Sequence, residues 1–133
     1  MKKWPAHYPI KCPPAIAETV SGVIYRFTTR ATPNLKDFHS YYEHNPNRDW
    51  GSDACNARGL SVFTCAKACE LFRKRVPAMK KKKLASATLN SSDGLILNTP
   101  SNISDNHHTF WPQLKPNEMV IAFKSVDIKV GIK

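Results

Sequence analysis

Between Thr99 and Pro112 the chain reads TPSNISDNHHTFWP, which places two adjacent histidines, an acid, several hydroxyls and two bulky aromatics within 14 residues. The stretch is too polar for a core element and too rich in His and Trp for a plain linker. It reads as a Pro-bounded loop, and loops that carry such residues tend to carry function. His107 and His108 can take up or release a proton near neutral pH, as a general base or acid must. Adjacent histidines project differently, so one of the two is expected to face a given site. Phe110 and Trp111 offer flat faces to a base, a nicotinamide or a sugar. The competing reading is a loop whose Trp pins it to the core.

Two further positions carry chemistry. Arg26 follows Tyr25 inside an apolar stretch, where a guanidinium must meet solvent, an internal carboxylate or a bound anion. Ser61 lies within Gly59-Leu60-Ser61-Val62-Phe63, where a hydroxyl needs a partner and Gly59 permits close approach of a ligand or another backbone. A helix is expected just beyond, and its free N–H groups suit an anion. Metal-independent RNA cleavage needs a His base, a general acid and a cation, which His107, His108, Arg26 and Lys83 supply. NAD chemistry needs a cation for phosphate, a hydroxyl for the amide and aromatics around the nicotinamide. Tyr25, Arg26, Ser61, Thr109 and Trp111 supply those. His107, His108, Arg26 and Ser61 are the catalytic candidates under either reading. A third reading is a non-catalytic domain whose aromatic loop docks a partner protein.

The chain has 133 residues, enough for one domain over residues 1–133, and 41% of them are hydrophobic. That composition suits a packed globule. Twenty Lys and Arg against ten Asp and Glu give a net charge of +10, which draws in polyanions. Part of it is the run Lys80, Lys81, Lys82, Lys83, read either as a nucleic-acid contact or as a solvated connection. No apolar run reaches the roughly 20 residues of a membrane span, so no membrane partner is expected. No apolar segment follows the basic start, so the expected location is cytoplasmic. Cys12, Cys55, Cys65 and Cys69 are then expected as reduced, buried thiols, with no disulfide. A zinc site would combine Cys55, Cys65 and Cys69 with His107 or His108. The tight two-residue cysteine spacing of zinc knuckles is missing, so no metal is expected.

These residues need elements to hold them. Residues 1–20 carry Pro5, Pro9, Pro13 and Pro14 and predict an extended arm packed on the domain. Ser21–Thr29 predicts a strand. Asn34 predicts an N-cap, with Asp37 three residues on, for a helix to about Glu43. Residues 45–56 read as a turn-rich loop around Trp50. Arg58–Phe63 predicts a second strand, and Thr64 a cap for a helix over Cys65–Val76. Strands are expected at Leu84–Leu89 and Leu95–Leu97, with a turn at Asn90–Gly94 between them. Met119–Val126 predicts an apolar strand, and the alternation from Val126 to Ile132 its continuation or a hairpin partner. The sum is a small α+β domain: two main helices on a mixed or antiparallel sheet.

The order of YR on the first strand, GLSVF running into a helix, then LASATL resembles the ADP-ribosyltransferase-like fold with its split sheet. That fold is shared by ADP-ribosyltransferases, RNA 2′-phosphotransferases and RES-type NAD-degrading toxins. The resemblance implies an NAD- or nucleotide-handling enzyme, a transferase or NAD glycohydrolase, of the kind used as bacterial toxins or defence effectors. It implies NAD as the bound group and assigns Arg26 and Ser61 to the family's two strand positions. The transferases often place a glutamate late in the chain. Glu118, the only acid near that place, precedes the expected strand, so no catalytic glutamate is carried over. Together YR, GLSVF, TPS and HHT(F/W)WP, spread over residues 23–112, also resemble a group of small uncharacterised bacterial proteins.

Overall fold

A computed structural model describes residues 4–126. The fold is α+β, with seven strands in one antiparallel sheet that does not close into a barrel. The strands are β1 (Glu18–Thr19), β2 (Gly22–Thr28), β3 (Leu60–Phe63), β4 (Lys83–Leu89), β5 (Gly94–Asn98), β6 (His107–Pro112) and β7 (Lys124–Ser125). Their spatial order is β1-β5-β6-β3-β2-β4-β7. The helices among the described residues are α1 (Tyr41–His44), α2 (Ala54–Arg58), α3 (Ala66–Arg75) and α4 (Pro116–Ala122), with single 3-10 turns between them. None is long and apolar enough to cross a membrane.

Strand alternation divides the core. Ile24, Leu60, Val62, Ala85, Ala87 and Phe110 share one face and are buried together with Phe38, Met119 and Phe123. On the other face Phe63 and Leu84, with Phe27 beside them, receive Cys69 and Phe72 of α3. Burial pushes the Cys69 thiol up to about 12, which makes it an inert core group. Cys65, expected to pack beside it, is exposed.

Four expectations are corrected. The stretch from Asn34 to Glu43 is two short turns, not one helix. Asn34 caps a 3-10 turn over Leu35–Phe38 and exchanges bonds with Asp37; Ser40 then opens α1 by the same exchange with Glu43. A second capping residue restarts the chain before the first helix can propagate. The loop around Trp50 contains α2, which takes Arg58 out of the expected strand. The apolar segment expected as a strand is α4 followed by β7. Pro116 starts α4, and Glu118 Oε1 accepts from the Lys115 N–H at 2.7 Å. Met119 and Phe123, four apart, then bury one helical face. The expected continuation to Ile132 lies outside the described residues.

The fourth correction concerns the cysteines. Cys12 and Cys55 form a disulfide across 43 positions of sequence. It ties the Pro-rich arm to α2, where Tyr8 Oη also donates to the Arg58 carbonyl and Arg58 Nη2 donates to the His7 carbonyl. Arg58 lies 3.8 Å over the Tyr42 ring, and His7 stacks on that ring at 4.4 Å. Closing a loop of this length in the unfolded chain is worth on the order of 4 kcal/mol in the chain-entropy account. Replacing Cys12 and Cys55 together by Ser is expected to lower stability by about that amount in urea unfolding. Reductant should do the same to the unaltered protein and nothing further to the variant, whereas Cys65→Ser should leave stability unchanged.

Candidate active site

The stretch read as a loop is for half its length a central strand. β6 pairs with β3 through Leu60 opposite Phe110, Ser61 opposite Thr109, Val62 opposite His108 and Phe63 opposite His107. Side chains alternate along it, so His107, Thr109 and Trp111 share one face while His108 and Phe110 take the other. Ser61, being opposite Thr109, points to the face that carries His107.

That register joins Ser61 and His107 through their side chains. His107 Nε2 lies 3.0 Å from Ser61 Oγ. Its Nδ1 lies 2.9 Å from the Thr99 carbonyl and 3.1 Å from Thr99 Oγ1. A carbonyl only accepts, so Nδ1 carries the proton, and the free lone pair on Nε2 accepts the Ser61 O–H. Burial holds the His107 pKa below its usual value, and the neighbouring His108 adds to that effect; the bond to Thr99 opposes it. The ring is therefore a neutral, oriented base at pH 7. Thr99 Oγ1 also lies 2.8 Å from Thr109 Oγ1, which satisfies that buried hydroxyl.

Arg26 enters the same cleft from β2. β2 and β3 are paired at one position, Tyr25 opposite Phe63. Beyond it the guanidinium of Arg26 fills the space between them. Nε donates to the Asp37 carbonyl and Nη1 to the Ser61 carbonyl, each at 2.8 Å. Desolvation lowers the Arg26 pKa to about 10, so the group stays cationic at neutral pH. Its partners are neutral carbonyls. The Asp37 carboxylate is occupied by Thr29 and Asn34, and no salt bridge to Arg26 exists among the described residues.

Two cavities, of about 330 and about 660 Å3, meet over Tyr41, Ser61 and His107. Arg26 and Lys82 line the first; Arg48, Trp50 and Thr99 line the second. Tyr41 and Trp50 face each other at 6.4 Å between ring centroids, and the Arg48 guanidinium sits 4.3 Å over the Trp50 ring. Acid–base groups, a half-buried cation and aromatic walls thus converge on one opening.

Of the expected site residues, the structure brings together Arg26, Ser61, His107 and, beneath them, Thr109. It does not bring the others. His108 is on the opposite face, with Nδ1 2.6 Å from the Asn106 carbonyl. Tyr25 packs beside Phe63 and Leu84. Phe110 and Trp111 are fully buried, and Trp111 Nε1 donates to the Cys55 carbonyl at 3.0 Å, so neither offers a stacking face. Gly59 does permit close approach, but by protein: a Cβ there would strike the Thr109 methyl and press on Trp111 Nε1. Ahead of α3 the backbone is tied to the loop before β6. Asn106 Oδ1 accepts from the N–H groups of Thr64 and Cys65 at 2.9 and 3.1 Å. Lys80, Lys81 and Lys83 are exposed, while Lys82 is half-buried at the cleft. Glu118 is the cap residue of α4 and lines neither cavity. Among the described residues no three His, Cys, Asp or Glu are grouped to hold a metal ion.

Sequence reasoning missed Tyr41, Arg48 and Trp50. Trp50 had a usable signal, a large aromatic in a loop of Asn, Asp and Gly. Tyr41 and Arg48 had none.

No protein-family model, no curated protein and no solved structure matches this chain.

The lowered His107 pKa makes a prediction about stability. The unfolded chain takes up a proton near pH 6.5 while folded His107 resists it, so stability is full above that value and falls as pH drops below it. His7, whose pKa burial also lowers, adds to the same slope. His107→Gln is expected to flatten the curve of urea midpoint against pH between 7 and 5, leaving the His7 share. A curve unchanged in slope would place the His107 ring in water.

Proposed function

We propose that the cleft binds NAD or a related nucleotide and that the chain is an NAD- or nucleotide-handling enzyme. The observation that carries this reading is Arg26: a guanidinium beside the Ser61–His107 pair that bonds two carbonyls and makes no ion pair among the described residues, the Asp37 carboxylate acting on it only through space. A partly desolvated cation in that state favours an anionic ligand, because an opposite charge offsets its desolvation. The residues present fit a nucleotide. Arg26 and Arg48 are cations for phosphate, Tyr41 and Trp50 are faces for a ring, and Ser61 and His107 bond to hydroxyl or amide groups.

When bound, NAD supplies a glycosidic bond to a good leaving group. The chain's part is to orient the ligand against the aromatic walls and to place a neutral base at its hydroxyls. His107 Nε2 takes the proton from the water that bonds to the ribose carbon while nicotinamide leaves as a neutral molecule with the electron pair of the glycosidic bond; Nδ1–H stays on the Thr99 carbonyl, which stabilises the imidazolium. Ser61 holds the ring in line until the ligand arrives. The disulfide fits a compartment that is not reducing, so the cytoplasmic expectation is not carried into this proposal.

The test is to incubate the protein with NAD, follow Trp fluorescence for binding and assay nicotinamide release. His107→Ala and Ser61→Ala are expected to retain binding within a fewfold and to lose about 10²-fold or more in turnover. Arg26→Met should lose binding, and His108→Ala should match the unaltered protein in both. Equal losses from His107→Ala and His108→Ala would remove the cleft from the chemistry, and wild-type protein that neither binds nor cleaves NAD would overturn the proposal.

A further inference from the structure

The net charge is not spread over the molecule. From Thr64 to Lys83 stand eight Lys or Arg and one acid, Glu70, so these 20 residues hold seven of the ten net positive charges. Its one acid is already engaged, with Glu70 Oε2 3.5 Å from Arg73 Nη1. Lys67, Lys74, Arg75, Lys80, Lys81 and Lys83 are all exposed. Lys67, Lys74 and Arg75 lie on α3, and Lys80 and Lys81 on the 3-10 turn Pro77–Lys81 that packs on it, while Lys83 opens β4. A solvated linker would carry such charge away from the rest of the protein. Here the ridge ends at the cleft, where Phe72, Met79 and Lys82 line the same cavity as Arg26 and His107.

We infer that this ridge is a track for single-stranded nucleic acid, whose unpaired nucleotide enters the cleft. Like charges this close repel one another unless a polyanion neutralises them, and phosphates at regular spacing do so while releasing their counterions. The choice of a single strand follows from the walls. Tyr41 is 58% exposed and faces Trp50, and only a base free of its duplex partner can stack there. The cleft half of this inference rests on the nucleotide reading above; the ridge half stands without it.

The test measures binding of a fluorescein-labelled 20-nucleotide RNA, the matching duplex, and vesicles of phosphatidylglycerol, by anisotropy and sedimentation between about 50 and 250 mM salt. The variant is Lys80→Ser, Lys81→Ser, Lys83→Ser and Lys74→Ser together, with Lys82 kept because it lines the cleft. Circular dichroism and melting confirm that it is folded. The single strand is expected to bind with a log–log salt slope of about −0.7 per phosphate contact, and the variant to lose at least 10-fold in affinity at the lowest salt. Trp50→Ala should weaken the single strand and spare the duplex. Unchanged RNA affinity in the lysine variant would overturn the track. Tighter binding of duplex than of single strand would overturn the unpaired nucleotide, and preferential binding to vesicles would assign the ridge to a lipid surface. NAD titration of the lysine variant separates the two proposals: intact NAD binding with lost RNA binding fails neither, whereas RNA binding in a protein that ignores NAD keeps the track and fails the nucleotide reading.

Discussion

The position of the guanidinium of Arg26 decides most of what the cleft can do. An arginine on the core-facing side of β2 can be accommodated only if the sheet makes room, and β2 and β3 do so by pairing once and then parting around it. Burial of a cation costs several kcal/mol even after relaxation. Two carbonyls at 2.8 Å offset part of that cost, and one of them belongs to Ser61. The bond therefore fixes the backbone of the residue whose hydroxyl meets His107. Remove the cation and Ser61 loses its anchor on the β2 side; remove the gap and the cation has nowhere to sit. The split in the sheet, the placement of Ser61 and the charge in the cleft are one arrangement.

Strand alternation then distributes the rest. Because β6 is a strand, two adjacent histidines cannot serve one site, and the register with β3 selects His107. The same alternation buries Trp111 beneath the floor, where its indole N–H reaches the Cys55 carbonyl. That bond, and the disulfide at the same residue, tie α2 to the sheet. α2 in turn supports the segment that carries Arg48 and Trp50. Thus one wall of the opening is held by the arm from outside and by Trp111 from below, although neither touches the cleft.

How much of this was legible in the sequence follows from the range of the forces involved. Local signals were readable: the Asn34 and Asp37 cap, the turn at Asn90–Gly94, the packing of Cys69 and Phe72 from α3 and the alternation of β2 all depend on neighbours in sequence. Arg26, Ser61 and His107 were readable as candidates because buried or clustered polar residues need partners. Their bond lengths and their common face were not, since both follow from strand register. β6 itself was misread because its flanking polar residues resemble a loop, while its alternation, with two aromatics and two histidines in six positions, gave no clean period. Met119–Phe123 was misread for a related reason. A short apolar run fits a strand or a helix, and only the capping exchange of Lys115 with Glu118 decides it. The Cys12–Cys55 pair was invisible because nothing local says where a Pro-rich arm will lie.

The charge distribution bears on the cleft itself. A chain with a net charge of +10 gives its half-buried guanidinium no help from the long-range field, which disfavours every further cation. Asp37 helps only in part: its carboxylate bonds to Thr29 and Asn34 and acts on Arg26 through space, while its carbonyl makes the direct bond. The folded state thus keeps a cation that protein groups neutralise incompletely, in an opening large enough for a ligand. An anion bound there gains what the protein has left unsatisfied, and by linkage it returns the same free energy to the fold. Under the proposed reading, affinity for an anionic ligand and the cost of holding Arg26 are two sides of one equilibrium.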